Sequence, residues 1–125
     1  MSVAPEPEAW VDVCAYADLL PERGAAALVG GQQVALFRLA DGSVHAVGHH
    51  DPFSGANVMA RGLVGTRGDV DTVASPVYKQ VFDVRTGQCL DDESVRLPSW
   101  PVQVCEGRVR VRIEPIASVA ATMAS

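Results

Sequence analysis

Lysine is almost absent from this chain: Lys79 stands alone beside nine arginines. The ten basic residues are outnumbered by fifteen acidic ones, giving a formal charge of -5. Nucleic acid is therefore not an expected partner, because phosphate binding needs a basic surface. No apolar run reaches the roughly 18 residues that a spanning helix requires, so no membrane span is expected. The segment Met1 to Trp10 carries Glu6, Glu8 and two prolines, without the basic start and apolar stretch of a secretion signal. The expected location is the cytosol. Cysteine is scarce too. Cys14, Cys89 and Cys105 form an odd set without Cys-x-x-Cys spacing, which argues against a disulfide framework or a zinc site and for buried or half-buried free thiols. There is no nucleophile–base pair, phosphate-cradling glycine loop or dinucleotide fingerprint. Gly30-Gly31 falls in a hairpin-like turn rather than between a strand and a helix. No catalytic residue and no metal ligand is assigned.

What is present reads as one β-rich domain. The 125 residues are 48% hydrophobic and 20% charged, which excludes a disordered chain. Short apolar runs recur between turn signals, and helical periodicity is weak. Trp10 to Cys14 alternates, with Val11 and Val13 on one face, and Asp18 to Glu22 allows one short helical turn. Val34 to Leu39 and Val44 to Val47 flank Ala40-Asp41-Gly42-Ser43, and Asp-Gly between apolar runs is a strong hairpin signal. A second hairpin is expected at Val81 to Val84 and Gln88 to Leu90, around Arg85-Thr86-Gly87. A third pairs Val102 to Cys105 with Arg108 to Ile113. On that last strand Val109, Val111 and Ile113 face one side and Arg108, Arg110 and Arg112 the other. The arginine row is an exposed face or, more sharply, a docking stripe. Gly48 to Gly68 and Ala74 to Gln80 read as irregular loops, the places where a rigid β scaffold usually carries function. The division is an extension over residues 1–9, a domain over 10–113 and a tail over 114–125.

Two of these stretches belong together. His49-His50-Asp51-Pro52-Phe53-Ser54-Gly55-Ala56-Asn57-Val58 and Ser75-Pro76-Val77-Tyr78-Lys79-Gln80, continuing to Phe82-Asp83 and Gly87, resemble the two cluster-binding loops of a Rieske domain. That family carries Cys-Pro-His-x-Gly-Ala-x-Leu in the first loop and Cys-Pro-x-His-Gly, then x-x-Phe-Asp-x-x-x-Gly, in the second. Pro52, Gly55 and Ala56 match the first pattern; Pro76, Phe82, Asp83 and Gly87 match the second. The resemblance implies an all-β Rieske-like [2Fe-2S] domain fold, with small antiparallel sheets in a sandwich or barrel and two loops converging at one tip. The four ligand positions differ. A Rieske cluster takes two thiolates on one iron and two imidazoles on the other, and the corresponding residues here are Asp51, Phe53, Ser75 and Tyr78. Phe53 has no donor atom, and neutral oxygens substitute poorly for thiolates. No cofactor is expected on this chain. The loops should still meet without anything bridging them. Phe53 and Tyr78 would fill the vacated space by packing, the tyrosine hydroxyl would find a polar partner, and Asp51 would accept backbone N–H groups.

Longer matches narrow the family. Asp51 to Val58, Ser75 to Gln80, Cys89 to Val102 (CLDDESVRLPSWPV) and Ala60 to Gly65 (ARGLVG) are similar to the small subunits of bacterial assimilatory NADH-dependent nitrite reductases. That resemblance implies an accessory, itself non-catalytic subunit. Its large-subunit partner would carry FAD, an iron-sulfur cluster and sirohaem and reduce nitrite to ammonium. The alternatives are a stand-alone, ferredoxin-like Rieske carrier, or a degenerate Rieske interaction module of another oxidoreductase. If the role is exerted by contact, the loop tip offers His49, His50, Pro52, Phe53, Tyr78 and Lys79, an aromatic composition with few charges. His49 and His50 are adjacent on extended backbone and point to opposite faces, which disfavours one shared metal ion. His45 should lie on the hairpin surface, Asp91-Asp92-Glu93 should be solvated or dock to a basic patch, and Trp100 should be a buried anchor.

Overall fold

The computed structural model describes residues 10–112. Ile113, the N-terminal extension and the C-terminal tail lie outside the described residues. Ten strands follow one another: β1 (Trp10–Ala15), β2 (Gly24–Val29), β3 (Gln32–Arg38), β4 (Val44–Gly48), β5 (Leu63–Arg67), β6 (Val70–Ala74), β7 (Val81–Asp83), β8 (Ser99–Trp100), β9 (Val102–Cys105) and β10 (Arg108–Arg112). They form three antiparallel sheets, ordered β1-β10-β9, β2-β3-β4-β8 and β5-β6-β7. Among the described residues no helix is long and apolar enough to cross a membrane.

The second sheet is the middle layer. Val34, Ala35, Leu36 and Phe37 on β3 are all buried, because successive side chains point to opposite faces and both faces are covered. Val34 and Leu36 join Leu19, Val29, Trp100, Val109 and Val111 in one core. Ala35 and Phe37 join Val47, Met59, Val73, Phe82 and Leu97 in another. A strand covered on both faces reads as a continuous apolar run, as Val34 to Phe37 does.

The Asp-Gly turn forms as expected. Gly42 takes a φ of 91°, and Asp41 Oδ1 accepts from the Ser43 N–H at 2.9 Å and its hydroxyl at 2.6 Å. Val109 and Val111 face inward, Arg108 and Arg112 are exposed and Arg110 is half-buried. Arg108 pairs with Asp12 across to β1 at 2.8 Å. A bulge between Asp12 and Cys14 shifts the β1 register, yet Val11 and Val13 both pack against the core. Trp100 is 5% exposed and pairs with Ala46, a buried anchor as expected. Cys89 is buried, Cys14 and Cys105 are half-buried, and all three are free thiols.

Four local expectations change. The short helical turn spans Tyr16–Asp18, ahead of the predicted position. Gly24–Val29 is a strand that small residues disguise. Leu63–Arg67 pairs with Val70–Ala74 inside what reads as an irregular stretch. The second hairpin shrinks to a single bridge, Phe82 to Cys89, because residues 83–88 are taken up by a loop described below.

Candidate functional site: two self-closed loops at one tip

Loop 1 leaves the end of β4 and loop 2 leaves the end of β6. Both fold the same way. In loop 1 the Asp51 N–H donates to the Ala56 carbonyl at 2.8 Å, and the Gly55 N–H donates back to the Asp51 carbonyl at 2.8 Å. The Asp51 carboxylate accepts the Phe53 N–H at 2.9 Å. In loop 2 the Ser75 N–H donates to the Gln80 carbonyl at 2.9 Å and the Lys79 N–H to the Ser75 carbonyl at 3.1 Å. The Ser75 hydroxyl accepts the Val77 N–H at 3.2 Å. Each loop has a short polar side chain first, a proline second and a left-handed residue fifth: Gly55 at φ 77° and Lys79 at φ 68°. The hydrogen-bond arrangement and the left-handed fifth residue, Gly87, occur a third time at the end of β7, with Val84 in place of the proline. Asp83 N–H donates to Gln88, Gly87 N–H to Asp83, and the Asp83 carboxylate accepts the Arg85 N–H at 2.8 Å. A short acceptor side chain suits the first position because it bonds the N–H two residues on.

The first residues of loops 1 and 2 then bond to each other. Ser75 Oγ donates to Asp51 Oδ2 at 2.6 Å, and both residues are 0% exposed. Burial is the largest single influence on the Asp51 carboxyl and pushes its pKa up. The hydrogen bonds from Ser75, the Phe53 N–H and Ser54 outweigh it, and the group sits below its ordinary value. A buried carboxylate is held here by hydrogen bonds to its charged form.

The remaining candidates are distributed unevenly. Phe53 is half-buried and meets Phe82 at a ring separation of 6.2 Å and 50°, so it packs as expected. Tyr78 does not. It is 60% exposed, with Val77 exposed beside it. The reason is local: the Asp51–Ser75 contact draws the loops together directly, which also corrects the expectation that nothing bridges them. Residues 77–79 of loop 2 are all exposed. His50, Pro52 and Lys79 are exposed, and His50 Nδ1 lies 3.0 Å from Asn57 Oδ1. His49 is only 8% exposed and faces inward, where its Nδ1 accepts the Ala60 N–H at 3.1 Å. That bond places the ring proton on Nε2. Burial first and the Arg61 charge second push its pKa down, so His49 is a neutral structural residue beneath the tip rather than part of its exposed face. His45 is half-buried and meets Ser43 Oγ at 2.9 Å. Asp91 is solvated and also used: it pairs with Arg67 at 3.1 Å and accepts the Val81 N–H at 2.9 Å.

The donor set does not fit a [2Fe-2S] cluster. Four ligand atoms must converge on two irons, two of them thiolates. Here the two positions facing each other are a carboxylate and a hydroxyl that already satisfy one another, the third is a phenyl ring and the fourth points to solvent. Among the described residues no three His, Cys, Asp or Glu side chains gather as a metal site.

Sheet order, paired loops and tip define a Rieske-type domain whose ligand positions have been exchanged for a hydrogen-bonded pair and aromatic residues. The family profile of the Rieske-like [2Fe-2S] domain matches residues 9–112. The crystal structure of a protein assigned as an NADH-dependent nitrite reductase small subunit from Mycobacterium tuberculosis is 56% identical, with a TM-score of 0.80 over 82% of this chain and 92% of that one. The nitrite reductase (NADH) small subunit of Escherichia coli (strain K12) is 38% identical over 104 residues, 82% of this chain and 96% of that protein. A nitrite reductase [NAD(P)H] large subunit from Klebsiella oxytoca is 38% identical over 102 residues, 82% of this chain but 11% of that longer protein. The chain belongs to the small-subunit family of NADH-dependent nitrite reductases.

Proposed function

We propose that this chain is the accessory small subunit of an assimilatory nitrite reductase, working in the cytosol. It carries no cluster of its own and acts by contact with a large subunit. The observation that carries this reading is the tip: two loops of Rieske form, closed on each other through Asp51 and Ser75 instead of through a metal. A domain that keeps the presentation surface of an electron carrier while filling its ligand positions with mutually satisfied groups is suited to docking, not to electron storage. The family resemblance implies that the partner binds FAD, an iron-sulfur cluster and sirohaem and reduces nitrite to ammonium with NADH. In the Klebsiella protein a similar stretch lies within a large-subunit chain, which supports a working position against that subunit. The exposed tip residues His50, Pro52, Val77, Tyr78 and Lys79, with half-buried Phe53, form the proposed contact.

Two measurements test the reading. The tagged chain should retain the sirohaem-bearing large subunit on co-purification, and nitrite-dependent NADH oxidation by that subunit should depend on the chain. Isolated anaerobically, the chain should hold no stoichiometric iron or sulfide and give no Rieske absorbance. A coloured, iron-loaded chain would favour a free-standing carrier. Retention of a different oxidoreductase would favour an interaction module serving another enzyme.

A further inference from the structure

A groove of about 400 Å³ runs beside loop 1, between the β2–β3 turn and the segment before β8. Its lining includes Gln33, His50, Pro52, Arg96, Pro98 and Trp100, and no aspartate or glutamate. In a chain with a formal charge of -5, a concave surface free of carboxylates is notable for its sign. Its fixed charge is Arg96, which is exposed and forms no ion pair among the described residues. Pro52 and Pro98, both exposed, make part of the wall apolar.

We infer that this groove seats an extended segment of the large subunit in which a carboxylate side chain stands among apolar residues. This rests on the reading that the large subunit is the partner. The carboxylate meets the Arg96 guanidinium, a pairing with fork geometry. The apolar neighbours lie against the exposed rings of Pro52 and Pro98. A bare anion would leave the apolar wall uncovered, and a basic segment would oppose Arg96. The groove shares His50 and Pro52 with loop 1, so an occupant here continues directly from the tip contact.

The test uses the full chain and the purified large subunit. Arg96→Glu should weaken their association by about tenfold or more, as reversal of one member of an interfacial charge pair does. Gln33→Glu, which adds a negative charge to the same groove, should weaken it less, and Gln33→Lys should tighten it. Thr66→Glu, on β5 outside the groove lining, is the control and should leave the Kd unchanged. All four variants should melt with wild type, since each changes an exposed side chain. Amide exchange at residues 31–33, 48–52 and 96–100 should slow on complex formation. If wild type binds and the charge series has no effect, the groove is not the seat, while the partner assignment stands. If wild type itself fails to bind, the partner assignment falls and the inference with it. Groove protection in the free chain beyond that of its own backbone hydrogen bonds overturns the inference in either of two forms. Loss on removal of residues 1–9 or 113–125 identifies a segment of this chain as occupant; growth with chain concentration identifies a second copy.

Discussion

The hydroxyl of Ser75 and the carboxylate of Asp51, 24 positions apart in sequence, lie 2.6 Å apart in a place that solvent does not reach. Each also fixes the conformation of its own loop, through the Val77 N–H for Ser75 and the Phe53 N–H for Asp51. Because loop 1 follows β4 and loop 2 follows β6, the bond ties the middle sheet to the third sheet at their shared end.

Removing either partner should therefore cost more than an ordinary surface hydrogen bond. Ser75→Ala leaves one carboxylate oxygen of a buried group without its donor, and a loss of about 1–3 kcal/mol is expected. Asp51→Asn should fall in the same range. In the double variant the two losses should not add, with a coupling on the order of 0.5–3 kcal/mol. Urea unfolding of the four proteins, read as shifts of midpoint at constant slope, checks this. Strict additivity would mean that the contact contributes nothing.

Acidification should destabilise the protein in two stages, with the same sign in each. Burial, then the Arg61 charge, lowers the His49 pKa in the folded state. The unfolded chain therefore binds that proton more readily, and stability falls as pH drops below about 6.5. The Asp51 carboxyl is also below its ordinary value when folded. Its contribution is complete above about pH 4 and is lost as pH falls through the folded pKa. The exposed Asp41 carboxyl, held at about 2 first by the Ser43 hydroxyl and then by the Ser43 N–H, acts in the same direction. Melting curves against pH should show a shallower acid limb in Asp51→Asn and a flatter near-neutral limb in His49→Gln.

The fifth residue of each loop gives a contrasting pair of substitutions. Lys79 holds a φ of 68°, where a side chain costs roughly 1–2 kcal/mol and glycine does not. Glycine's extra freedom in the unfolded chain offsets about 0.5–1 kcal/mol. Lys79→Gly should therefore be neutral to stabilising by up to about 1 kcal/mol. Gly87→Ala should be destabilising by about 2 kcal/mol or more. Its φ is 84°, and the new methyl would run into the Leu97 backbone carbonyl. Thermal unfolding should separate the two, with Lys79→Gly at or above wild type and Gly87→Ala below it.

Docking through the tip predicts a variant that folds but does not associate. His50→Ala combined with Lys79→Ala alters two exposed side chains, so melting should change little. Binding to the large subunit should weaken measurably in titration calorimetry. Wild-type affinity would remove the tip from consideration and turn attention to Arg108, Arg110 and Arg112 on β10.

Much of this architecture can be read from the sequence, and the parts that cannot have physical reasons. Asp41-Gly42 marks the β3–β4 hairpin because only a few residues tolerate its backbone, and Val109 and Val111 alternate with arginines because one side of β10 is buried. The Gly24–Val29 strand hides because its alanines carry no in–out contrast, and Leu63–Arg67 hides because Gly65 interrupts it and Leu63 faces solvent. At the tip, the pattern of prolines and glycines is enough to place both loops. Asp51 and Ser75, however, stand out in sequence as lost ligands rather than as partners. Tyr78 suggests a plug because a large ring is usually buried, and its actual exposure follows from how tightly the shorter pair draws the loops together. The available signal was the shared spacing itself: a short acceptor side chain, a proline next, and a left-handed residue fifth.

A tip fastened by an oxygen-to-oxygen hydrogen bond answers to different conditions from one fastened by iron. Chelators, dioxygen and the supply of assembled clusters have no hold on it, and neither does the electron traffic of its surroundings. What it does answer to is proton activity, because the Asp51–Ser75 clasp is strongest while the carboxylate keeps its charge. The groups that hold the two loops in shape, Asp51 and Ser75 foremost, are supplied by the chain itself.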